Sequence, residues 1–199
     1  MAVKHFENSV SDTRDIRTLC VAGVVATKSG DVYTPVVAYP GMLVTPDALT
    51  PSSAYGAGVK NPNTWYMVAA DNTTPIGEVY VVCPDVASFG AMSSYLTAFG
   101  DNKYNLGVET FGVPQPAGEA TRCIRLVEFS KYTWFDGWFA AAPASGEIYA
   151  TINANGLWAP TSTKPQSGLY LEILDTVAAT VGAYAAGSTG YYGVIKNAA

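Results

Sequence analysis

The chain has 199 residues, of which 49% are hydrophobic and 14% are charged, and its formal net charge is −5. This composition is too apolar for a disordered chain, and no apolar run approaches the roughly 20 residues that span a bilayer. The acidic balance argues against a nucleic-acid partner, because phosphates require a basic surface. We therefore expect neither a nucleic-acid nor a membrane partner. The charged share lies below the usual roughly 25%, which is expected where neighbours in an assembly cover much of the surface.

The N-terminal segment differs in composition from the rest of the chain. Residues 1–17 carry many charged and few large apolar side chains, which predicts an extended arm ahead of a single β-rich domain at 18–199. Such a segment buries too little apolar surface to order by itself, so we expect it to be extended or poorly ordered in the free protein. It has no apolar centre and does not predict a signal peptide, so we expect synthesis in a cytoplasm.

Apolar runs separated by turn residues begin at residue 18. Leu19–Ala26 and Val32–Tyr39 predict two strands joined by a turn, and Pro35 marks an edge strand or a bulge. A second turn at Pro40-Gly41 leads into a short strand at Met42–Thr45.

Residues 46–63 are rich in proline, glycine and serine, and they predict a long loop that becomes ordered only in an assembly. Two strands follow at Thr64–Ala69 and Glu78–Cys83. The polar, proline-containing segment 71–77 between them predicts that they form a hairpin.

The middle of the chain predicts one helix and a connector. Four apolar residues recur at spacings of three and four between residues 85 and 99, which predicts an amphipathic helix. These residues are Phe89, Met92, Leu96 and Phe99. A short strand is expected at Tyr104–Val108. The proline- and glycine-containing segment at 114–118 predicts a rigid connector and leaves a subdivision of the domain near 114–120 open.

The last third of the chain contains further segments that predict strands. The strand candidates are Cys123–Phe129, Glu147–Asn153, Leu157–Ala159, Leu169–Leu174 and Tyr191–Lys196, and the clear alternation is in Leu169–Leu174. Asn155-Gly156 predicts a tight turn between the second and third of these. About a dozen candidate strands, with turn signals roughly every 8–12 residues, predict an all-β fold of the barrel or sandwich type with at most one or two short helices.

The most aromatic stretch surrounds the dipeptide Asp136-Gly137, which is a strong signal for a two-residue hairpin turn. That register would place Phe135 opposite Trp138 and Trp134 opposite Phe139. Because successive side chains of a strand point to opposite faces, each face would carry one aromatic pair. We therefore predict that one pair lies in the core and the other at an interface with another subunit, with a hairpin enclosed entirely in one domain as the alternative.

Catalytic and metal-binding patterns are missing from the sequence. The only histidine is His5, on the predicted arm, which leaves no base for a Ser-His-Asp or Cys-His arrangement. The cysteines at 20, 83 and 123 lie far apart, so we expect reduced thiols rather than a zinc site. No cofactor, metal or catalytic residue is expected, and the protein is predicted not to be an enzyme.

One catalytic alternative depends on acidic residues near strands. Two carboxylates can hydrolyse a glycosidic bond, and nearby tryptophans can stack on sugars. The candidate carboxylates are Glu128, Asp136, Glu147 and Glu172. Acidic residues at turns and strand ends are usually solvated, so we rank a hydrolase last among three hypotheses.

Several parts of the chain resemble a known class of protein. They are the charged arm, the Gly- and Tyr-rich β body, the segment Tyr39–Thr45, and Pro116–Glu119 followed by Ile124–Leu126. Together they resemble small virion proteins of tailed bacteriophages, in particular capsid decoration (cement) proteins. The resemblance implies a β-barrel or β-tulip body, made in the host cytoplasm, that binds between subunits of the major capsid protein in the virion. It also implies a homo-oligomer, most often a trimer.

Two binding hypotheses follow from these observations. The leading one is a structural virion protein that decorates and stabilises a phage capsid by burying apolar surface at subunit joints. The alternative is a carbohydrate- or receptor-binding β-domain of a tail fibre or spike that uses tryptophan and tyrosine side chains as platforms.

Overall fold

The computed structural model of the chain describes residues 20–39, 41–51, 60–82, 116–178 and 189–198. This part contains eleven strands and two three-residue 3₁₀ turns, at Ile76–Glu78 and Asp136–Trp138. The strands are β1 (Cys20–Ser29), β2 (Val32–Pro35), β3 (Leu43–Pro51), β4 (Lys60–Ala69), β5 (Tyr80–Val82), β6 (Thr121–Arg125), β7 (Lys131–Phe135), β8 (Tyr149–Ile152), β9 (Trp158–Thr161), β10 (Gly168–Ala178) and β11 (Thr189–Ala198). The prediction of an all-β fold is confirmed.

Five strands form a closed barrel in the order β1-β4-β3-β5-β6, and β6 pairs back onto β1 to complete the ring. The β1–β4 pair is parallel and the other four pairs are antiparallel. Only the first part of β1 belongs to the barrel, because residues 26–29 leave it and pair with β2. The predicted β1–β2 hairpin is therefore confirmed. Pro35 ends the edge strand β2, where a missing N–H is tolerated.

Side chains of alternate residues fill the barrel interior. The interior residues form one cluster of Val21, Val25, Ala38, Val44, Met67, Tyr80, Val82 and Cys123. Gly23 lies between Val21 and Val25 on the same face of β1. A Cβ atom at Gly23 would lie 2.2 Å from Cγ of Met67 and 3.2 Å from Sγ of Cys123. Gly23 therefore supplies the space that the Met67 side chain occupies.

The prediction of a long loop at 46–63 is wrong for the residues that the structure describes. Residues 46–51 belong to β3 and residues 60–63 belong to β4, and the two strands pair from Val44–Ala69 to Pro51–Lys60. The pairing shifts between Pro46 and Ala48 and again between Leu49 and Pro51. Each irregularity places a proline where the regular ladder is interrupted, and beyond Val44 the described pairing of β3 is with β4 alone, so both prolines are accommodated.

The predicted hairpin of Thr64–Ala69 with Glu78–Cys83 is also wrong. Both strands exist, as β4 and β5, but they do not pair with each other, because β3 lies between them. The connecting segment has its own structure. Oδ1 of Asp71 accepts hydrogen bonds from the backbone N–H and hydroxyl groups of Thr73 and Thr74.

A second sheet, in the order β7-β11-β10-β8-β9, packs against the barrel. Its core combines sheet residues such as Trp158 and Leu171 with Leu43 and Val79 from the barrel side. The β8–β9 hairpin predicted at Asn155-Gly156 is confirmed. Its turn also joins the two sheets, because the N–H of Leu43 donates a 2.8 Å hydrogen bond to the carbonyl oxygen of Gly156.

Of the remaining strand predictions, some are confirmed, one is shorter than expected and others lie outside the described residues. The predicted strands at Leu169–Leu174 and Tyr191–Lys196 are confirmed as parts of β10 and β11. The strand predicted at Cys123–Phe129 ends at Arg125, as β6. The arm at 1–17, the helix at 85–99, the strand at 104–108 and Cys83 lie outside the described residues. Among the residues that are described, no helix has the length and apolar character needed to cross a membrane.

Candidate functional site

The aromatic stretch around Asp136-Gly137 does not form the predicted hairpin. Strand β7 ends at Phe135 and pairs with β11, where Trp134 lies opposite Tyr191. Residues 136–138 form a 3₁₀ turn, and Phe139 then makes a parallel bridge with Trp158 of β9. The turn thus carries the chain from one edge strand of the second sheet to the other instead of reversing it. The reason is tertiary, because this path buries the aromatic side chains on both sides of the turn in one core.

Three of the four predicted interface residues belong to that core. Trp134 is 1% exposed and makes edge contacts, at 5.4 Å between ring centroids, with Trp138 and with Trp158. Phe139 is also buried, and Trp138 is half-buried against the same cluster. The prediction that Trp134 and Trp138 face opposite sides is therefore wrong. The side chain of Phe135 lies outside the described part, and contact of these residues with another subunit stays a prediction.

An exposed aromatic side chain lies elsewhere, on the turn between β6 and β7. The N–H of Ser130 donates to the carbonyl oxygen of Val127, which closes a turn with Phe129 at its third position. Phe129 has a φ of 65°, the only positive φ of a non-glycine residue in the described part of the chain. Its N–H donates to the carbonyl oxygen of Ile195, while its side chain is 69% exposed. The backbone of Phe129 is thus anchored, and its ring projects into solvent.

A cleft of about 390 Å³ lies on the outer surface of the barrel, where β2 and β3 end and β4 begins. Apolar side chains on its wall come from Val24, Pro35, Pro51 and Tyr66. Polar groups come from Asn61 and Thr64, whose side chains are joined by a 3.2 Å hydrogen bond from Nδ2 to Oγ1. The cleft therefore combines an apolar strip with a row of hydrogen-bonding groups.

Tyr66 is held beside this cleft by a stacked partner. The rings of Tyr33 and Tyr66 lie 4.5 Å apart and are nearly parallel, at 2°. The hydroxyl of Tyr33 donates a 2.7 Å hydrogen bond to Oδ2 of Asp47, and Nζ of Lys28 lies 2.7 Å from the same oxygen. These hydrogen bonds, that from Lys28 above all, lower the pKa of the Asp47 carboxyl group below its ordinary value. The contact with Asp47 also raises the pKa of Lys28.

The lowered pKa of Asp47 predicts a pH dependence of stability. The ionised carboxylate stabilises the fold at pH values above the ordinary aspartate pKa of 3.8, and this stabilisation is lost as the pH falls through the lower pKa of the folded state. We expect Asp47→Asn to lower the melting temperature near pH 7 and to have a smaller effect as the pH falls below 3.8. Thermal unfolding between pH 2.5 and 7 measures this. The control, Asp31→Asn in the exposed β1–β2 turn, should show no such convergence, and a constant deficit for Asp47→Asn would contradict the prediction.

Two of the four predicted carboxylates have structural partners, and Glu128 is exposed on the turn between β6 and β7. Glu147 accepts a 2.7 Å hydrogen bond from the N–H of Ala144, which closes its own turn. Glu172 forms an ion pair with Lys196 on the neighbouring strand. The side chain of Asp136 lies outside the described part. Within that part, no group of three or more His, Cys, Asp or Glu side chains is placed to hold a metal ion.

The residues that form these features were not singled out by the sequence patterns. Tyr33 and Tyr66 lie in predicted strands, but their contact depends on β2 lying close to β4. The positive φ of Phe129 has no signature in the sequence, because glycine or asparagine usually occupies such a position.

Comparisons with protein-family models, with curated proteins and with solved structures found no match to this chain.

Proposed function

We propose that this chain is a structural virion protein that decorates and stabilises a phage capsid by binding between major-capsid subunits. The resemblance of the sequence to decoration proteins motivates the proposal, as does a body with little surface charge. The observation that carries it is the turn at Val127–Ser130, which holds the ring of Phe129 in solvent. On this proposal the protein acts as a homo-oligomer, a trimer in particular, and not as an enzyme.

The backbone conformation of Phe129 is unfavourable for the free protein. A left-handed backbone costs an L-residue roughly 1–2 kcal/mol, and a bulky side chain is rarely found there. Phe129 bears that cost although the residue is 69% exposed and Val127 beside it is 42% exposed. Strained residues that contribute little packing commonly belong to functional sites. Burial of the ring against a capsid subunit would contribute roughly 1.5–3 kcal/mol at each attachment point.

Phe129→Asn separates attachment from folding. Asparagine tolerates the left-handed conformation, so we expect the free energy of unfolding to be unchanged or raised by up to about 1 kcal/mol. Binding to capsids should weaken by about 10- to 100-fold, which corresponds to loss of one buried phenylalanine side chain. Co-sedimentation with purified capsids that lack the protein measures binding, and urea unfolding measures stability.

Leu174→Asn is the matched control, because Leu174 is an apolar residue of similar exposure, 52%, on β10. It should leave capsid binding within about twofold of the wild type. If both variants bind equally well, the turn is not an attachment point. If the wild-type protein does not co-sediment with capsids at all, the proposed function is wrong. The alternative, a carbohydrate- or receptor-binding domain of a tail fibre or spike, is supported by a different feature, the cleft beside Tyr66.

A further inference from the structure

The cleft beside Tyr66 has no assigned ligand, and its lining restricts the charge that a ligand can carry. None of the described residues that line it is charged. The charged residues next to the lining in the chain, Lys60 and Glu119, are exposed and do not line the cleft. An ionised ligand would therefore lose its hydration in the cleft without gaining a partner of opposite charge, which is unfavourable. The lining favours a neutral ligand.

The aromatic side of the cleft is rigid before any ligand binds. Tyr33 covers one face of the Tyr66 ring at a centroid distance of 4.5 Å, and Tyr33 is itself held by its hydrogen bond to Asp47. The remaining surface of Tyr66 lines the cleft together with Pro35 and Pro51. A ligand with an apolar face can pack there without ordering the side chain, so little conformational entropy is lost on binding.

The polar side of the cleft offers fixed hydrogen-bonding groups. Thr64 Oγ1 accepts from Asn61 Nδ2, so the Thr64 hydroxyl hydrogen is directed elsewhere and the second Asn61 N–H remains to donate. The side-chain oxygen Oδ1 of Asn61 accepts a hydrogen bond from the backbone N–H of Asn63, which fixes the orientation of the side-chain amide. Two neighbouring donors beside an apolar strip are complementary to a ring that carries adjacent hydroxyl groups and a C–H face.

We propose that this cleft binds a neutral saccharide, with the C–H face of one sugar ring on Tyr66 and its hydroxyl groups on Asn61 and Thr64. A volume of about 390 Å³ is at the small end of the range for ligand sites, which accommodates one or two sugar rings. A proline-rich peptide also packs on aromatic and proline side chains, but it needs a groove several residues long. The saccharide is therefore the better match, and this proposal does not depend on capsid binding.

The test begins with the intact wild-type protein on an array of neutral, sialylated and sulfated oligosaccharides. We expect binding to neutral oligosaccharides and a dissociation constant in the micromolar to millimolar range by titration. Absence of binding to every neutral oligosaccharide would overturn the proposal, as would binding to acidic oligosaccharides alone. A proline-rich peptide titrated in parallel should not bind, and binding of the peptide alone would also overturn it.

Substitutions then locate the site. Tyr66→Ala should weaken saccharide binding at least 10-fold, and Thr64→Val, which keeps the shape of the side chain, should weaken it about 3- to 10-fold. The control is Tyr39→Ala, because Tyr39 is an exposed tyrosine outside the cleft. This variant should bind the saccharide like the wild type. Melting temperatures identify any variant that fails to fold. Because Thr64→Val is nearly isosteric, unchanged affinity in that folded variant would contradict the proposed contacts. Phe129→Asn should keep saccharide affinity, which distinguishes this site from capsid attachment.

Discussion

Replacing Trp134 with alanine is expected to lower the free energy of unfolding by about 3–5 kcal/mol, the range for truncation of large buried aromatic residues. Trp134 is 1% exposed and lies between two other indoles, those of Trp138 and Trp158, each at 5.4 Å. Truncation would remove contacts with both rings and leave a cavity in the core between the sheets. Because domains of this size are stable by roughly 5–15 kcal/mol, the variant should be severely destabilised or unfolded at room temperature. Urea unfolding followed by far-ultraviolet circular dichroism measures the change.

Comparison with other aromatic variants tests the cause. Trp138→Ala should be milder, because Trp138 is only half-buried, and Phe129→Ala should change stability little, because Phe129 is exposed. A Trp134→Ala protein that loses less than about 1 kcal/mol would contradict the assignment of Trp134 to the core. If Trp138→Ala spares folding but weakens binding to capsids, the earlier hypothesis of an aromatic interface would be supported for Trp138.

The alanine substitution does not separate the effect of the Trp134 indole N–H from the effect of its ring. Its Nε1 is buried, and no acceptor for it lies within the described part of the chain. Leaving a buried donor without a partner costs roughly 1–3 kcal/mol. Trp134→Phe removes this donor together with part of the ring, so its loss of stability should be much smaller than that of the alanine variant.

Gly23→Ala is expected to lower the free energy of unfolding by at least 1–3 kcal/mol, roughly the cost of overpacking a well-filled core. The added Cβ would lie 2.2 Å from Cγ of Met67, so the methionine or the parallel β1–β4 pair must move. Gly77→Ala is the matched control, because the structure describes no atom within 4 Å of a Cβ at Gly77. Thermal and urea unfolding of both variants measure the difference.

A double substitution identifies the clash itself. Met67→Ala alone should be destabilising, but Gly23→Ala combined with Met67→Ala should cost less than the sum of the two single changes by about 0.5–3 kcal/mol. Additive effects would show that Gly23 matters for another reason, such as the geometry of the barrel closure between β1 and β6.

Local sequence patterns determined much of the secondary structure. Alternation of residues located β10, and the turn residues at Lys28–Asp31 and Asn155-Gly156 located two hairpins. Both signals act within about ten residues of the chain. Over that distance, backbone preference and side-chain alternation are sufficient to predict a strand or a turn. The all-β class followed from the number and spacing of such segments.

The order of the strands was decided by tertiary structure alone. The prolines predicted a loop at residues 46–63, but residues 46–51 pair with β4 and the irregularities of that ladder fall at Pro46 and Pro51. In the described pairing only Leu43 and Val44 of β3 also pair with β5, so both prolines lie where one side of β3 is not part of a ladder. The Asp136-Gly137 dipeptide favours a tight turn locally, yet burial of Trp134 and Phe139 in one core outweighs that preference and produces a 3₁₀ turn. In both cases a local preference of about 1 kcal/mol was weaker than the burial of several large side chains.

The candidate sites depend still more on long-range contacts. Tyr33 and Tyr66 are 33 positions apart in the sequence and meet only because β1 pairs with β2 and β4 along different parts of its length. The exposure of Phe129 depends on β6 ending at Arg125 and on a backbone bond to β11. The sequence by itself therefore determined the all-β class and where most of the strands form. Which of the aromatic residues are buried, stacked or exposed was decided by pairing between distant strands, which no local pattern encodes.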